Sequence, residues 1–177
     1  MKTTKKSLMA IALGTMALTA STNFAHAGSE YVGIQGSQVA MGDTAGRLTF
    51  TRTFNLPSTL NNTSTATANA AVLQMTHRNV LDPQHAVYIN PPSAVCFGKT
   101  RDEGTGGNAS ALVATLSARG TDDQSDRFTE QRLVAANRLR PGSNTFMVCA
   151  RNPNGELTGN IDEFNFGDVL LHFRTTP

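Results

Sequence analysis

The sequence predicts an all-β protein in which two antiparallel sheets pack as a sandwich, tied by one disulfide and preceded by a secretory signal peptide. Three observations carry that expectation. Short runs rich in Val, Thr, Phe and Tyr alternate with clusters of Gly, Pro, Asn, Asp and Ser, the punctuation of a sandwich or barrel. No internal repeat, heptad or long 3.6-residue periodicity interrupts the pattern. The two cysteines, Cys96 and Cys149, both follow an export signal.

That signal is MKTTKKSLMAIALGTMALTASTNFAHA, residues 1–27. Lys2, Lys5 and Lys6 precede an apolar run from Leu8 to Ala20, and Ala25-His26-Ala27 closes it as a small-x-small cleavage site. The run is shorter than the roughly 20 residues a spanning helix needs, so removal after Ala27 is expected. Residues 28–177 then form one domain, long enough to bury a core and with no further membrane span. The signal holds three of the fifteen basic residues and none of the thirteen acidic ones, which leaves a net charge of −1. The eleven arginines beyond it are scattered, so a nucleic-acid partner or an anionic membrane is not expected.

An isolated cysteine pair in an exported chain is expected to bond to itself, because the periplasm and the exterior are oxidising. Closing a loop of this length stabilises by about 4 kcal/mol in the chain-entropy model. Zinc is a poor rival, since His77, His85 and His172 show no paired-ligand spacing with one another or with the cysteines.

GSEYVGIQGSQVAMGDTAG (28–46) reads as a short strand and a glycine-rich loop. In RLTFTRTFNL (47–56), Leu48, Phe50 and Arg52 alternate with Thr49, Thr51 and Thr53, a half-buried strand. PSTLNNTSTATANA (57–70) is an exposed loop, and the N-x-S/T triplets at Asn61, Asn62 and Asn108 read as loop composition behind a bacterial-type signal. AAVLQMTHRNV (70–80) and HAVYIN (85–90) are strands joined by the turn LDPQ. Pro91-Pro92 mark a corner before a strand around AVCF (94–97), because proline cannot lie within a central ladder.

ALVATLSA (111–118) is a strand between the loops RDEGTGGNAS and RGTDDQSD. RFTEQRLVAANRL (127–139) fits a strand or a short helix, with its β context and the following RPG turn favouring the strand. NTFMVCARN (144–152) sets Phe146, Val148 and Ala150 on one face and Thr145, Met147 and Cys149 on the other, as in a central strand. In NIDEFNFGDVLLHFRTTP (160–177), Gly167 separates Phe164 and Phe166 from Val169, Leu171 and Phe173, which suggests a register-shifting bulge.

The order VYIN, LRPGSNTFMVCA, NIDEFNFGDVLL resembles the galactose-binding-like domains found among carbohydrate-binding modules. The similarity covers the second half of the chain well and the first half loosely. It implies a two-sheet antiparallel jelly-roll sandwich and glycan binding, with Asp162 corresponding to an acidic residue that helps hold a structural calcium in several such modules. Two departures stand out: Pro91 follows Asn90 where the family usually has glycine, and the chain lacks Trp and has only Tyr31 and Tyr88 for stacking on sugars.

Asp122, Asp123 and Asp126 cluster in TDDQSD as candidate calcium ligands, although the glycine and distal Glu of an EF-hand are missing and a solvated turn is the simpler reading. Asp162 and Glu163 are a second candidate, with an Asx-turn as the alternative for Asp162. Gly98-Lys99-Thr100 resembles the tail of a phosphate loop, but Ser93 stands where that motif needs glycine. No nucleophile elbow or metalloprotease helix is present. The expected function is a non-catalytic binding module for a glycan or another polar extracellular ligand, held on end loops or on a concave sheet face. The alternatives are a self-associating or partner-binding subunit of a surface fibre or envelope complex, pairing through its sheet edges, and a small secreted hydrolase.

Overall fold

A computed structural model describes residues 29–62, 71–81, 83–104, 106–118 and 127–176. The signal segment and the Asp122, Asp123 and Asp126 cluster lie outside them. The strands are β1 (Ser29–Gln35), β2 (Val39–Met41), β3 (Thr49–Leu56), β4 (Ala71–Arg78), β5 (Ala86–Ile89), β6 (Leu112–Thr115), β7 (Phe128–Val134), β8 (Gly142–Cys149) and β9 (Phe164–Arg174). One sheet runs β1-β9-β4-β7, with β2 also paired to β9, and the other runs β3-β8-β5-β6. Every pairing is antiparallel, and apart from β1 to β2 and β5 to β6 the chain changes sheet at each step. That wrapping is a jelly roll.

Alternation places Phe146, Val148 and Ala150 in the inter-sheet core with Phe164, Phe166, Val169 and Leu171, and turns Met147 and Cys149 to the outer side of their sheet. Phe50 packs edge-on against Phe166 with ring centroids 5.2 Å apart. The bulge near Gly167 is present: Gln74 opposes Leu170 while Thr76 opposes Gly167, so two residues of β9 face one of β4. Asp168 takes φ 47°, and a Cβ on Gly167 would lie 2.9 Å from the Ser37 carbonyl, so glycine is required where residues 36–38 cross. The segment 127–139 resolves into β7 followed by a 3-10 turn at Ala136–Arg138.

The RPG turn is held by Asn144, which is fully buried. Its Nδ2 donates to the carbonyls of Arg140 (2.7 Å) and Gly142 (2.9 Å), and its Oδ1 accepts from the Arg140 amide (3.1 Å). Gly142 at φ 80° completes the turn into β8.

The expected strand around AVCF is not formed. Residues 90–98 instead cross the outer side of the β3-β8-β5-β6 sheet as a loop that continues into α1 (Lys99–Asp102) and a 3-10 turn at Ala109–Ala111. Pro91 and Pro92 cannot donate to a ladder. The neighbouring backbone is satisfied by a side chain: Asn108 Oδ1 accepts from the Ser93 amide (3.0 Å) and its Nδ2 donates to the Val95 carbonyl (3.0 Å). The Cys96–Cys149 disulfide, with Cα atoms 5.6 Å apart across a separation of 53 residues, therefore fastens a covering loop to β8. Because neither cysteine belongs to the inter-sheet core, a Cys96→Ala/Cys149→Ala variant is expected to keep its far-ultraviolet β spectrum. Its melting temperature should fall by about 10 °C, the effect of losing about 4 kcal/mol in a domain of this size.

Candidate functional site

The two outer faces of the sandwich differ in chemistry. On the disulfide side a second apolar cluster forms from Ala86, Tyr88, Cys96, Ala111, Met147 and Cys149, with Leu112 and Leu157 against it. An ionic network seals it. Tyr88 donates its hydroxyl to Asp102 Oδ2 (2.7 Å), and Arg151 Nη2 donates to the Tyr88 oxygen (2.7 Å) and lies 3.2 Å from the same carboxylate oxygen. Arg151 Nε donates to the Phe97 carbonyl (3.1 Å), and Asp102 Oδ1 accepts from the Asn108 amide (2.8 Å). Burial, reinforced by the Asp102 hydrogen bond, pushes the Tyr88 hydroxyl well above its ordinary pKa, so it stays a proton donor. These contacts make residues 90–104 and 106–111 a lid on the sheet.

The β1-β9-β4-β7 sheet is crossed by residues 36–38 at Gly167, and away from that crossing its outer side presents exposed side chains. Its pairing sets Tyr31 opposite His172, His172 opposite Val72 and Val72 opposite Leu133, one row across four strands. Tyr31 is 69% exposed and Leu133 62%, and the Tyr31 and His172 rings lie 6.0 Å apart. The next row is Gly33, Leu170, Gln74 and Gln131, where Gln131 Nε2 donates to Gln74 Oε1 (3.1 Å). In a third row the hydroxyl of Thr76, buried where Gly167 meets residues 36–38, lies 3.1 Å from that of the exposed Thr129. Successive same-face rows lie roughly 6.7 Å apart along a strand and neighbouring strands about 4.8 Å apart, so the face is a graded platform of ring, aliphatic, amide and hydroxyl groups.

The sheet edges are interrupted. β1 shifts register between Gly33 and Gln35, and β6 has four residues and a register shift of its own. β3 carries Arg52 on its core-facing side, opposite Phe146, yet exposed at the edge. β7 carries Glu130 and Arg132 on its core-facing side. Glu130 Oε1 accepts from the Ser117 amide and pairs with His77 Nε2, both at 2.6 Å, while Arg132 Nη2 sits 2.6 Å from Oε2 as an ion pair. Burial alone would raise the Glu130 carboxyl, but the Ser117 amide and His77 outweigh it and hold its pKa below the ordinary value. A cavity beside this cluster, lined by Leu73, Val87, Leu116 and Glu130 among others, has a volume of about 10 Å³, room for a single water.

Asp162 is half-buried, its Oδ1 3.5 Å from Asn160 Nδ2. Glu163 Oε1 accepts from the Thr44 amide (2.6 Å), and its hydrogen bonds with Thr44 hold its pKa below the ordinary value. Asp43 Oδ2 accepts from the Ile161 amide (2.8 Å). Asp43 and Glu163 join the 42–47 turn to the 160–163 segment, and among the described residues no three acidic, His or Cys groups are gathered as metal ligands. Asp43 had no signal in the sequence beyond its place in a glycine-rich loop. At Gly98-Lys99-Thr100, the Glu156 carboxylate lies against the segment and accepts from Thr100 Oγ1 (3.4 Å), so a carboxylate of the same chain stands there.

The chain matches no protein-family model and no curated protein. The open face was missed in the sequence because its rows join residues from distant segments, such as Tyr31 and His172.

Two outcomes follow from the buried networks. Asp102→Ala leaves Arg151 buried without its counter-charge and is expected to destabilise by about 3 kcal/mol or more, against about 1 kcal/mol for Tyr88→Phe, in urea titrations at neutral pH. Glu130 has a folded-state pKa below its unfolded one, so its contribution is complete above the unfolded value, near 4.5, and is lost as pH falls through the folded value. Glu130→Gln is therefore expected to be less stable than wild type at pH 7, with the gap narrowing in stability profiles taken towards pH 3.

Proposed function

We propose that this protein is an exported, non-catalytic binding module whose open β1-β9-β4-β7 face holds a glycan or another polar extracellular ligand. The observation that carries the reading is the difference between the two outer faces. One is closed by a disulfide and a buried ion network, while the other presents Tyr31, His172, Val72 and Leu133 in register beside the Gln74–Gln131 amide pair. A sugar ring has apolar C–H faces and a rim of hydroxyls, and a platform mixing an aromatic ring, aliphatic side chains and amides offers partners for both. The jelly-roll strand order and the resemblance to galactose-binding-like domains support the same reading, and the disulfide supports an oxidising location outside the cytoplasm.

The fibre-subunit alternative requires a long regular edge for strand addition. Arg52 on β3, Glu130 and Arg132 on β7, the irregular β1 and the short β6 are the devices by which sheets discourage such pairing, and they favour the face over the edges.

A glycan array probed with the secreted protein, with and without chelator, tests the reading. Binding is expected, and Tyr31→Ala and Gln131→Ala should each weaken it by about tenfold, on the order of 1.4 kcal/mol. Val95→Ser, on the opposite face, should leave it unchanged. No bound glycan, or binding indifferent to Tyr31 and Gln131, would sink the proposal.

A further inference from the structure

His85 is fully buried just before β5, stacked on Phe164 with ring centroids 4.2 Å apart. Its Nδ1 accepts a hydrogen bond from the Arg151 backbone amide at 3.0 Å. That bond requires a lone pair on Nδ1, so the ring is neutral and carries its proton on Nε2, which is buried with no hydrogen-bond partner. Arg151 is also the residue whose guanidinium holds Tyr88, Asp102 and the Phe97 carbonyl. One neutral imidazole thus fixes the backbone of the residue whose side chain pins the covering loop to the sheet at Phe97 and Asp102.

We propose that His85 is an acid-operated latch on this covering loop. A proton taken from solvent onto Nδ1 removes the acceptor of the Arg151 amide and sets an imidazolium beside the Arg151 guanidinium. The Arg151 segment and the loop it pins then lift from the sheet and uncover Tyr88 and Met147, while Cys96–Cys149 keeps the loop tethered so that the lid recloses.

The charged surroundings agree with this direction. Arg151 approaches His85 from beyond β8 and His77 from β4, and both oppose its protonation; β9 contributes the apolar Phe164, and the end of β6 contributes Leu116, whose amide binds the His85 carbonyl. The nearby carboxylates are already engaged, Asp102 by Tyr88, Arg151 and Asn108, and Glu130 by His77, Ser117 and Arg132. Burial first, then His77 and Arg151, lower the His85 pKa from 6.5 to about 4. A released imidazole titrates near 6.5, so the closed form binds fewer protons than the open one in between. The lid is fully held above about pH 6.5 and loses hold as pH falls towards 4, with the open-to-closed ratio rising on the order of a hundredfold between pH 7 and pH 4.

The chain has two tyrosines and no tryptophan, so Tyr31→Phe leaves Tyr88 as the single intrinsic fluorophore of this kind. Acrylamide quenching of Tyr88 in the Tyr31→Phe protein is followed from pH 7 to 3.5 beside far-ultraviolet circular dichroism. Quenching is expected to rise below pH 6.5 while the β spectrum persists, and to reverse on neutralisation. In a Tyr31→Phe/His85→Gln protein, whose amide oxygen can accept the Arg151 bond without titrating, the rise should flatten. If Tyr88 stays shielded until the β spectrum collapses, or if the His85→Gln protein opens over the same pH range, the latch is refuted. Nuclear magnetic resonance of the His85 ring without that substitution gives a test independent of how the variant folds. Its titration must share the midpoint of the Tyr88 transition, and a different midpoint overturns the proposal.

Discussion

The structure depends on one constraint, the phase of β9. This strand pairs with β1 and β2 along one side and with β4 along the other, so any slip in its register turns core residues to solvent in three places at once. A strict two-residue alternation from Phe164 and Phe166 would place Asp168 and Leu170 in the core and turn Val169 and Leu171 outwards. The extra residue at the Gly167–Asp168 bulge resets the phase, so both halves bury their apolar side chains. The same reset brings His172 to the outer surface between Tyr31 and Val72. Core packing and the open face are therefore two results of one backbone irregularity.

The closed face follows different energetics. Tyr88 and Met147 on the outer side of β5 and β8 need a cover, and the loop that supplies it is too irregular to satisfy its own backbone with a ladder. Buried side chains take over that role: Asn108 serves the 93–95 backbone, and Asp102 serves Asn108 while also neutralising Arg151. A buried ion pair stabilises little in total, because desolvation offsets its attraction, but breaking one side of it is severe. Such a network selects one loop position more strongly than it adds stability. The disulfide complements it by restricting the unfolded ensemble.

The sequence was most legible where chemistry is local. The alternation of β8 and β9, the bulge at Gly167, the turn at Arg140–Gly142 and the cysteine pairing could all be read from neighbouring residues, because period, proline, glycine and thiol chemistry act over a few positions. The AVCF segment misled, since its apolar residues read as a strand while the decisive fact was the remote Asn108 side chain that replaces the ladder. Asn108 itself read only as part of an N-x-S triplet. The open face was illegible for a related reason: Tyr31, Val72, Leu133 and His172 become one row only through the registers of β1, β4 and β7 against a bulged β9, and no local pattern encodes that relation.

The same geometry orders the assembly of the face. Tyr31 lies on β1 and its partner His172 on β9, so the row cannot exist before the last strand of the sandwich is in place. Pairings this distant in sequence form late and slowly, because their loop-closure entropy must be met before their contacts form. With β9 absent, β1 and β4 cannot complete the β1-β9-β4-β7 sheet. The open face and the core are therefore completed together, because β9 supplies His172 to the one and Phe164, Phe166, Val169 and Leu171 to the other.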